Sequence, residues 1–418
     1  EISECLVGSE MCIRDSYIGP VPFAAVNIVM PFLVILGALG FMLGTGGSAL
    51  VAYTLGTGDN KKANEIFSLL IYTLVATGIV FTIIGIIFIK PISHLLGADE
   101  EMLPYCVKYG RTILIALVPF MLMNIFQSFL VTAELPHYGL IITIASGVVN
   151  VILDALFVAV FKFGVIGAAV ATGISQAIGG FIPLFIFIFS KKSKLHLGRT
   201  HFSKKALLKS CANGSSEFMS NVAVSLVNML YNWQLMKLLG HNGVTSYGVI
   251  MYVNYIFLSI FFGYSIGSSP VVGYHYGAGN TDELKGLFKK SIRIILVSSV
   301  VLTLTAELLA APLSKIFVSY DKDLLKATTH AFAIYSASFL IAGINIYASS
   351  FFTALNDGLT SAIISFFRTL VFQVIAVIVL PLIFGSQGIW FAIIAAEALS
   401  LLLSLFFIVS KRKKYSYY

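Results

Sequence analysis

Eleven long apolar runs separated by short polar breaks dominate the chain. They extend over about 21–52, 66–89, 112–133, 140–161, 165–189, 208–239, 244–274, 292–311, 331–355, 360–384 and 389–410. An α-helix rises 1.5 Å per residue, so about 20 such residues cross the hydrocarbon core of a bilayer. Backbone polar groups inside lipid must be satisfied within the span. The pattern therefore predicts an all-α polytopic membrane protein, a helix bundle with lipid as its outer solvent. Several runs exceed the minimal length and are predicted to tilt or bend.

Composition agrees. The 418 residues are 58% hydrophobic and 11% charged, where a soluble domain carries about 25% charged residues. The net charge of +8 is not a nucleic-acid signal, because the basic residues fall in short loops between apolar runs. There they set topology. If spans alternate, one side receives Lys61, Lys62, the cluster from Lys191 to Lys209, the group from Lys285 to Arg293, and Lys411 to Lys414. The other receives Lys90, Lys108, Arg111, Lys162, Lys237, Lys315, Lys322 and Lys326. The richer side is predicted to be cytoplasmic, with the C-terminus inside. Four cysteines give neither a disulfide framework nor metal spacing. The first sixteen residues, Glu1 to Ser16, are mixed and polar and form neither a signal peptide nor a span. They read as foreign sequence joined to a truncated gene, with Tyr17 the first native residue.

An internal repeat organises the rest. At a constant offset of 221 residues, Gly46 meets Gly267, Tyr53 meets Tyr274, Gly58 meets Gly279, Pro91 meets Pro312, Asn124 meets Asn345, Ser128 meets Ser349 and Gly164 meets Gly385. An offset that keeps each loop on its own side requires an even number of spans per half, hence a parallel repeat about an axis along the membrane normal. The predicted organisation is an N-terminal lobe over 17–190, a basic cytoplasmic linker over 191–207, a C-terminal lobe over 208–410 and a basic cytoplasmic tail over 411–418. The second lobe has six spans and the first five; the expected missing one is the first.

Candidate chemistry lies where polar groups enter the apolar runs. Asn150 and Asp154 are four apart, one helical turn, in the run over 140–161. A carboxylate at mid-bilayer costs roughly 2.5–3.5 kcal/mol on insertion scales, so its default reading is a proton or cation site facing a cavity. The competing reading is a hydrogen bond locking helices together. At the 221 offset these two residues map to Val371 and Ile375, and Thr172 to Ile393. Apolar residues at those places weaken the locking reading. Thr172 would supply a further oxygen toward Asn150 and Asp154, and hard cations take several oxygen ligands; a carboxylate alone suffices for a proton. Ser175 and Gln176 continue the stripe of Thr172 and are open to a purely helix-packing role. Glu217, Asn221, Ser225, Asn228 and Asn232 form one polar face on the run over 208–239, which must line a cavity or a polar interface. Glu217 is either a substrate counter-ion there or a snorkelling interfacial acid. Gln176, Glu217, Asn221 and Asn228 are thus the candidate substrate-cavity residues. The glycine-rich Leu43 to Ser48 lacks the lysine of a phosphate loop and is expected at a close helix contact or bend. The sequence has no nucleophile elbow, no zinc spacing and no nucleotide motif.

Taken together, Ala24 to Pro31, Gly46 to Gly56, Asn150 to Asp154, Gly167 to Thr172 and Pro270 to Ala278 resemble the multidrug and toxic compound extrusion (MATE) transporters. The resemblance runs from Tyr17 to about Ser410. It implies two six-helix lobes, five plus six here, around a central cavity, and alternating access. It also implies a multi-pass protein of the bacterial cytoplasmic membrane, monomeric, that exports small organic cations or drugs in exchange for Na+ or H+. No cofactor, nucleic acid or enzymatic step is implied. The family's cation site lands on Asn150, Asp154 and Thr172, which would also be the metal ligands if Na+ couples transport. The family adds an aspartate on a first helix that is absent from this chain. A flippase for lipid-linked oligosaccharides shares the fold and is the alternative; it calls for a strongly cationic cavity, for which Arg368 is the main mid-span candidate.

Overall fold

The computed structural model describes residues 20–190, 193–318 and 321–418. The Glu1 to Ser16 expectation, with Tyr17 as native start, lies outside the described residues, as do Lys191 and Lys192 of the linker.

Each of the eleven apolar runs lies in helix. Pro20–Gly56 (α1) and Asn60–Leu95 (α2) each form one continuous helix. The third run breaks into Leu103–Ile115 (α3) and Leu117–Thr132 (α4), bent by 54°. Pro136–Asp154 (α5) passes into a π-helical turn, Ala155–Val160, followed by Gly164–Phe189 (α6). Lys204–Gly277 (α7) holds two runs, interrupted at Gly240, whose φ of 63° no other residue adopts as readily. Thr281–Val318 (α8) precedes a second bent pair, Lys322–Ser336 (α9) and Phe339–Ala354 (α10), at 46°. Gly358–Phe366 (α11), a π-turn Phe367–Val371, Phe372–Phe384 (α12) and Gly388–Tyr415 (α13) complete the chain. Among the described residues, seven helical segments are long and apolar enough to cross a membrane, nine when each bent pair counts as one span. The stretch Gly358–Tyr415, one segment in that count, contains two of the sequence runs. The first part of α7 is not in the count, because its row of asparagines lowers its hydropathy.

The described residues cluster into two compact units, one ending at Gly214 and one starting at Ser215. In the first, Phe67 meets both Phe129 and Phe187 at 4.9 Å, and Phe126 stacks on Phe187 at 5.3 Å. The segment between α6 and α7 is tied to α2 by main-chain donors. His196 N–H donates to Asn64 Oδ1 at 2.6 Å and Gly198 N–H to Ser68 Oγ at 3.0 Å. The start of α7 crosses α1 with almost no room: a Cβ added to Gly46 would lie 2.1 Å from the Ser210 carbonyl oxygen, and one added to Gly214 1.9 Å from that of Met42. The glycine-rich stretch is therefore a backbone-to-backbone helix contact. In the second unit the core gathers around Phe288, Tyr347, Phe351 and Tyr417, with ring centroids 5.0–6.5 Å apart.

Backbone conformation carries the repeat further than residue identity does. Gly58 and Gly279 share left-handed φ, as do Gly164 and Gly385, both pairs 221 apart. The two bent breaks follow Ile115 and Ser336, again 221 apart. One equivalence must be corrected. The turns leading into α5 and α11 place their left-handed residue at Glu134 and Asn356, which are 222 apart. The helices behind them start at Pro136 and Gly358. The two π-turns are not equivalent in the repeat, since Ala155–Val160 and Phe367–Val371 start 212 residues apart, so the offset of 222 holds for the first part of each hairpin. The second unit's π-turn comes before the place matched to Asp154 and the first unit's comes after Asp154, so a single offset does not carry Asp154 across the repeat. Burial speaks against the simple offset of 221, since Asp154 is 0% exposed and Ile375 49%, whereas Ala376 and Val377 are 5% and 0%. By the offset of 222 Ser146 falls on Arg368. A single inserted residue rotates a helix face by about 100°, enough to exchange core for lipid.

Candidate functional site

The buried residues of α5 are Ile142, Ser146, Asn150 and Asp154. Their spacing of four makes one stripe, and three of the four are polar. An amphipathic helix in water buries its apolar face; here lipid takes the apolar face and the protein interior takes the polar one. Ile141, Val148 and Ile152 stand on the outward side. Asp154 is fully buried.

α5 and α6 form an antiparallel hairpin. Ser146 Oγ donates to the Ser175 carbonyl oxygen at 2.7 Å, and Ser175 Oγ donates to the Thr172 carbonyl oxygen at 3.0 Å. From this crossing, Asn150 lies about 6 Å along α5 and Thr172 about 4.5 Å back along α6, so the two share one level. Asp154 lies a turn beyond, level with Gly167. There α6 comes so near the π-turn that a Cβ on Gly167 would sit 3.1 Å from Phe157 Cβ and from the Phe157 carbonyl oxygen. Asp154 thus ends the regular part of α5 and the π-turn begins with the next residue. Such bulges recur at functional sites because they re-aim side chains without ending the helix. Gln176 is half-buried, and its amide oxygen is shielded from water and accepts no hydrogen bond among the described residues. The donor set here is one carboxylate, carboxamides and hydroxyls. It suits a proton or a hard monovalent cation and offers nothing to a soft metal. Among the described residues no three His, Cys, Asp or Glu side chains converge.

The second unit carries the other candidates. Glu217, Asn221, Ser225 and Asn228 are half-buried along the first part of α7, and Asn232 is exposed. Asn221 Nδ2 donates to the Glu217 carbonyl oxygen at 2.8 Å, so its amide is engaged with its own helix. Asn228 Oδ1 accepts from Tyr247 Oη at 2.8 Å, and Tyr247 stacks on Tyr231 at 4.9 Å between centroids. Asn228 is therefore part of a buried aromatic cluster. α7 is joined to α12 by Tyr231 Oη donating to Gln373 Oε1 at 3.4 Å and Gln234 Nε2 to the Val377 carbonyl oxygen at 3.2 Å.

Residue-by-residue reading did not assemble one network. Arg368 sits in the second π-turn and pairs with Glu397 on α13. Its Nε lies 2.9 and 3.1 Å from the two carboxylate oxygens and its Nη2 2.8 Å from Oε1. Asn345 Nδ2 donates to Glu397 Oε2 at 2.7 Å, and Ser404 Oγ donates to Asn345 Oδ1 at 2.9 Å. The side chains of Arg368 and Glu397 are 12% and 3% exposed. Three signals pointed there: an arginine within an apolar run, an acid within the next run, and an asparagine repeated in both halves. Because Arg368 is neutralised, it does not supply the free cationic surface that a pyrophosphate-handling cavity needs.

The MatE family profile matches residues 11–156 and 218–379. The chain is 25% identical over 398 residues to the multidrug export protein MepA of Staphylococcus haemolyticus, covering 94% of this chain and 86% of that protein. Against MepA of Staphylococcus aureus strain MW2 it is 23% identical over 394 residues, with the same coverage. Among solved structures, the outward-facing conformation of a multidrug resistance MATE family transporter of the MOP superfamily superposes with a TM-score of 0.92 at 20% identity, covering 99% of this chain and 92% of that one. A MATE crystallised with MaL6 gives 0.92 at 20% identity, covering 99% and 93%. These structures establish the fold.

Proposed function

Since the chain belongs to the MatE family of multi-pass membrane proteins, we propose that it is a secondary antiporter of the bacterial cytoplasmic membrane, with its C-terminus inside. It exports small organic cations, drugs among them, in exchange for inward Na+ or H+. The MepA relatives, named multidrug export proteins, support the export half of this reading. The observation that carries the coupling half is Asp154, fully buried on the polar stripe of α5 and next to a π-turn.

In this mechanism Asp154 is the group that takes up the proton, or ligates Na+ with Asn150 and Thr172. An ion that binds one conformation more tightly than another shifts the balance between them, and only that differential affinity can drive transport. The π-turn gives the helix a place to change register as the charge on Asp154 changes. Gln176, Glu217, Asn221 and Asn228 are the proposed substrate-facing groups, with Glu217 the counter-ion for a cationic drug.

The test is ethidium export from proteoliposomes under an imposed Na+ or H+ gradient, comparing the parent with Asp154→Asn. The variant is expected to lose gradient-driven export while keeping its yield and thermal stability. Export at the parental rate would overturn the coupling role.

A further inference from the structure

The segment that follows α13 folds back onto the second unit. Ser416 turns the chain through left-handed φ, and Tyr415 and Tyr417 on either side of it are 6% and 0% exposed. Tyr415 Oη donates to Asp357 at the cap of α11, and its ring meets Tyr276 at the end of α7 with centroids 5.7 Å apart. Tyr417 reaches further. Its ring lies 5.0 Å from that of Phe288 on α8 and 5.0 Å from that of Phe351 on α10. Its hydroxyl donates to the Ile408 carbonyl oxygen of α13 at 2.7 Å. One side chain outside the helices thus touches α8, α10 and α13. Burial, with the Asp357 charge second, pushes the Tyr417 phenol above its ordinary range, so the group seated there is a neutral donor.

The repeat marks this ring as a separate part. In the first unit Phe67 is packed by Phe187, which belongs to α6 itself. At the offset of 221 Phe67 falls on Phe288 and Phe187 on Ile408, so α13 brings an aliphatic side chain where α6 brings a ring. Tyr417 supplies that ring from outside the helix. The main-chain carbonyl at this place accepts from a returning segment in both units. Phe187 accepts from Leu197 N–H at 3.2 Å, and Ile408 accepts from the Tyr417 hydroxyl. Aromatic walls with one aimed acceptor recognise a phenol, the ring through its faces and edges and the hydroxyl through the hydrogen bond.

We propose that the second unit carries a phenol-binding pocket, walled by Phe288 and Phe351 with the Ile408 carbonyl as acceptor, which the chain fills with its own Tyr417. The segment is thereby a strap across the ends of α8, α10 and α13. The ligand class is a small neutral phenol substituted opposite its hydroxyl, because that is where the strap leaves the ring. A tethered group has an effective concentration of about a millimolar, so a free phenol enters when the Tyr417 ring is withdrawn. The pocket uses none of the residues proposed above for coupling or drug contact, and it does not rest on that reading.

The test is chemical complementation of the purified full chain, read as melting temperature in detergent. Tyr417→Gly is expected to melt about 5 °C or more below the parent, because a buried ring is lost. Millimolar p-cresol, which is the deleted side chain, is expected to restore about half of that loss or more. Its isomer o-cresol, of like polarity but the wrong shape, is expected to restore little, and neither compound raises the melting point of the parent, whose pocket is filled. Tyr417→Phe keeps the ring and loses the bond to Ile408, and is expected to melt about 2 °C low. Equal rescue by the two isomers, or a Tyr417→Gly variant that melts with the parent, overturns the pocket. If Tyr417→Gly does not accumulate, Tyr417→Phe decides: a parental melting point for that variant overturns recognition of the hydroxyl.

Discussion

The hydroxyl of Ser146 donates to the backbone carbonyl of Ser175 at 2.7 Å, and this bond sets the level at which α5 and α6 meet. It is the crossing from which Asn150 and Thr172 come to share a height and Asp154 comes level with Gly167. Ser146→Ala is expected to cost about 1 kcal/mol, the net worth of one buried hydrogen bond. If Asn150, Asp154 and Thr172 hold the coupling cation as proposed, it is also expected to raise the cation concentration needed for half-maximal export, because the register of those oxygens loosens. A melting curve in detergent reads the first effect and a cation titration of export the second. An unchanged titration would remove Ser146 from the coupling machinery.

Thr172→Val separates the two coupling ions. The substitution keeps shape and removes one oxygen. If Na+ is held by Asn150, Asp154 and Thr172, its apparent affinity falls by about tenfold or more, the usual penalty for disturbing a metal's ligand shell. If Asp154 works as a proton carrier, the pH profile of export is expected to stay in place. Export driven in turn by a Na+ gradient and by a pH gradient in the same vesicles decides between these outcomes.

Gly46→Ala tests the helix crossing in the first unit. The new methyl group would meet the Ser210 carbonyl oxygen at 2.1 Å and the Gly214 nitrogen at 2.3 Å, both backbone, so the helices must move apart. A loss of about 1–3 kcal/mol is expected, as for other overpacked contacts. Gly267→Ala is the matched control, since no atom stands within 4 Å of its added Cβ. Comparable melting points for the two variants would contradict the crossing.

The end of the chain is held by an acid. Asp357 caps α11 through Thr360 N–H, accepts from Tyr415 Oη at 2.7 Å and lies 3.5 Å from Lys411 Nζ. Burial alone would raise its pKa, but the hydrogen bonds from Tyr415 and Thr360 and the Lys411 charge together hold it below the usual aspartate range. A depressed folded-state pKa adds stability that is fully present above the ordinary value of about 3.9 and is lost as the pH falls through the lowered one. Tyr415→Phe is therefore expected to reduce thermal stability at pH 7 and to flatten its decline under acid. Parallel acid profiles for parent and variant would show that the bond contributes nothing.

Much of this was legible before any coordinates. Where a whole run must be apolar to face lipid, the sequence has little freedom, and all eleven runs appear as helix. Repeated glycines at turns were equally informative, because left-handed backbone at Gly58, Gly164, Gly279 and Gly385 selects the residue directly. Asp154 stood out because an acid in an apolar run is expensive. The bend after Ile115 is marked by Pro119, whose ring lacks an N–H and displaces the Ile115 carbonyl; the bend after Ser336 was not visible, since no proline or glycine stands within a turn of it.

What the sequence by itself determined is the class of protein, its helices, its repeat and the short set of polar residues that lipid could not accept. Hydrophobic burial and backbone hydrogen bonding are local demands, and each residue answers them alone. What only the tertiary structure decided is the pairing of those polar residues across helices. Ser146 meets Ser175, and Glu397 meets both Arg368 and Asn345. These contacts join groups 29 to 59 positions apart and depend on helix phase. Phase is set by π-turns and turn lengths, which leave no mark on hydropathy.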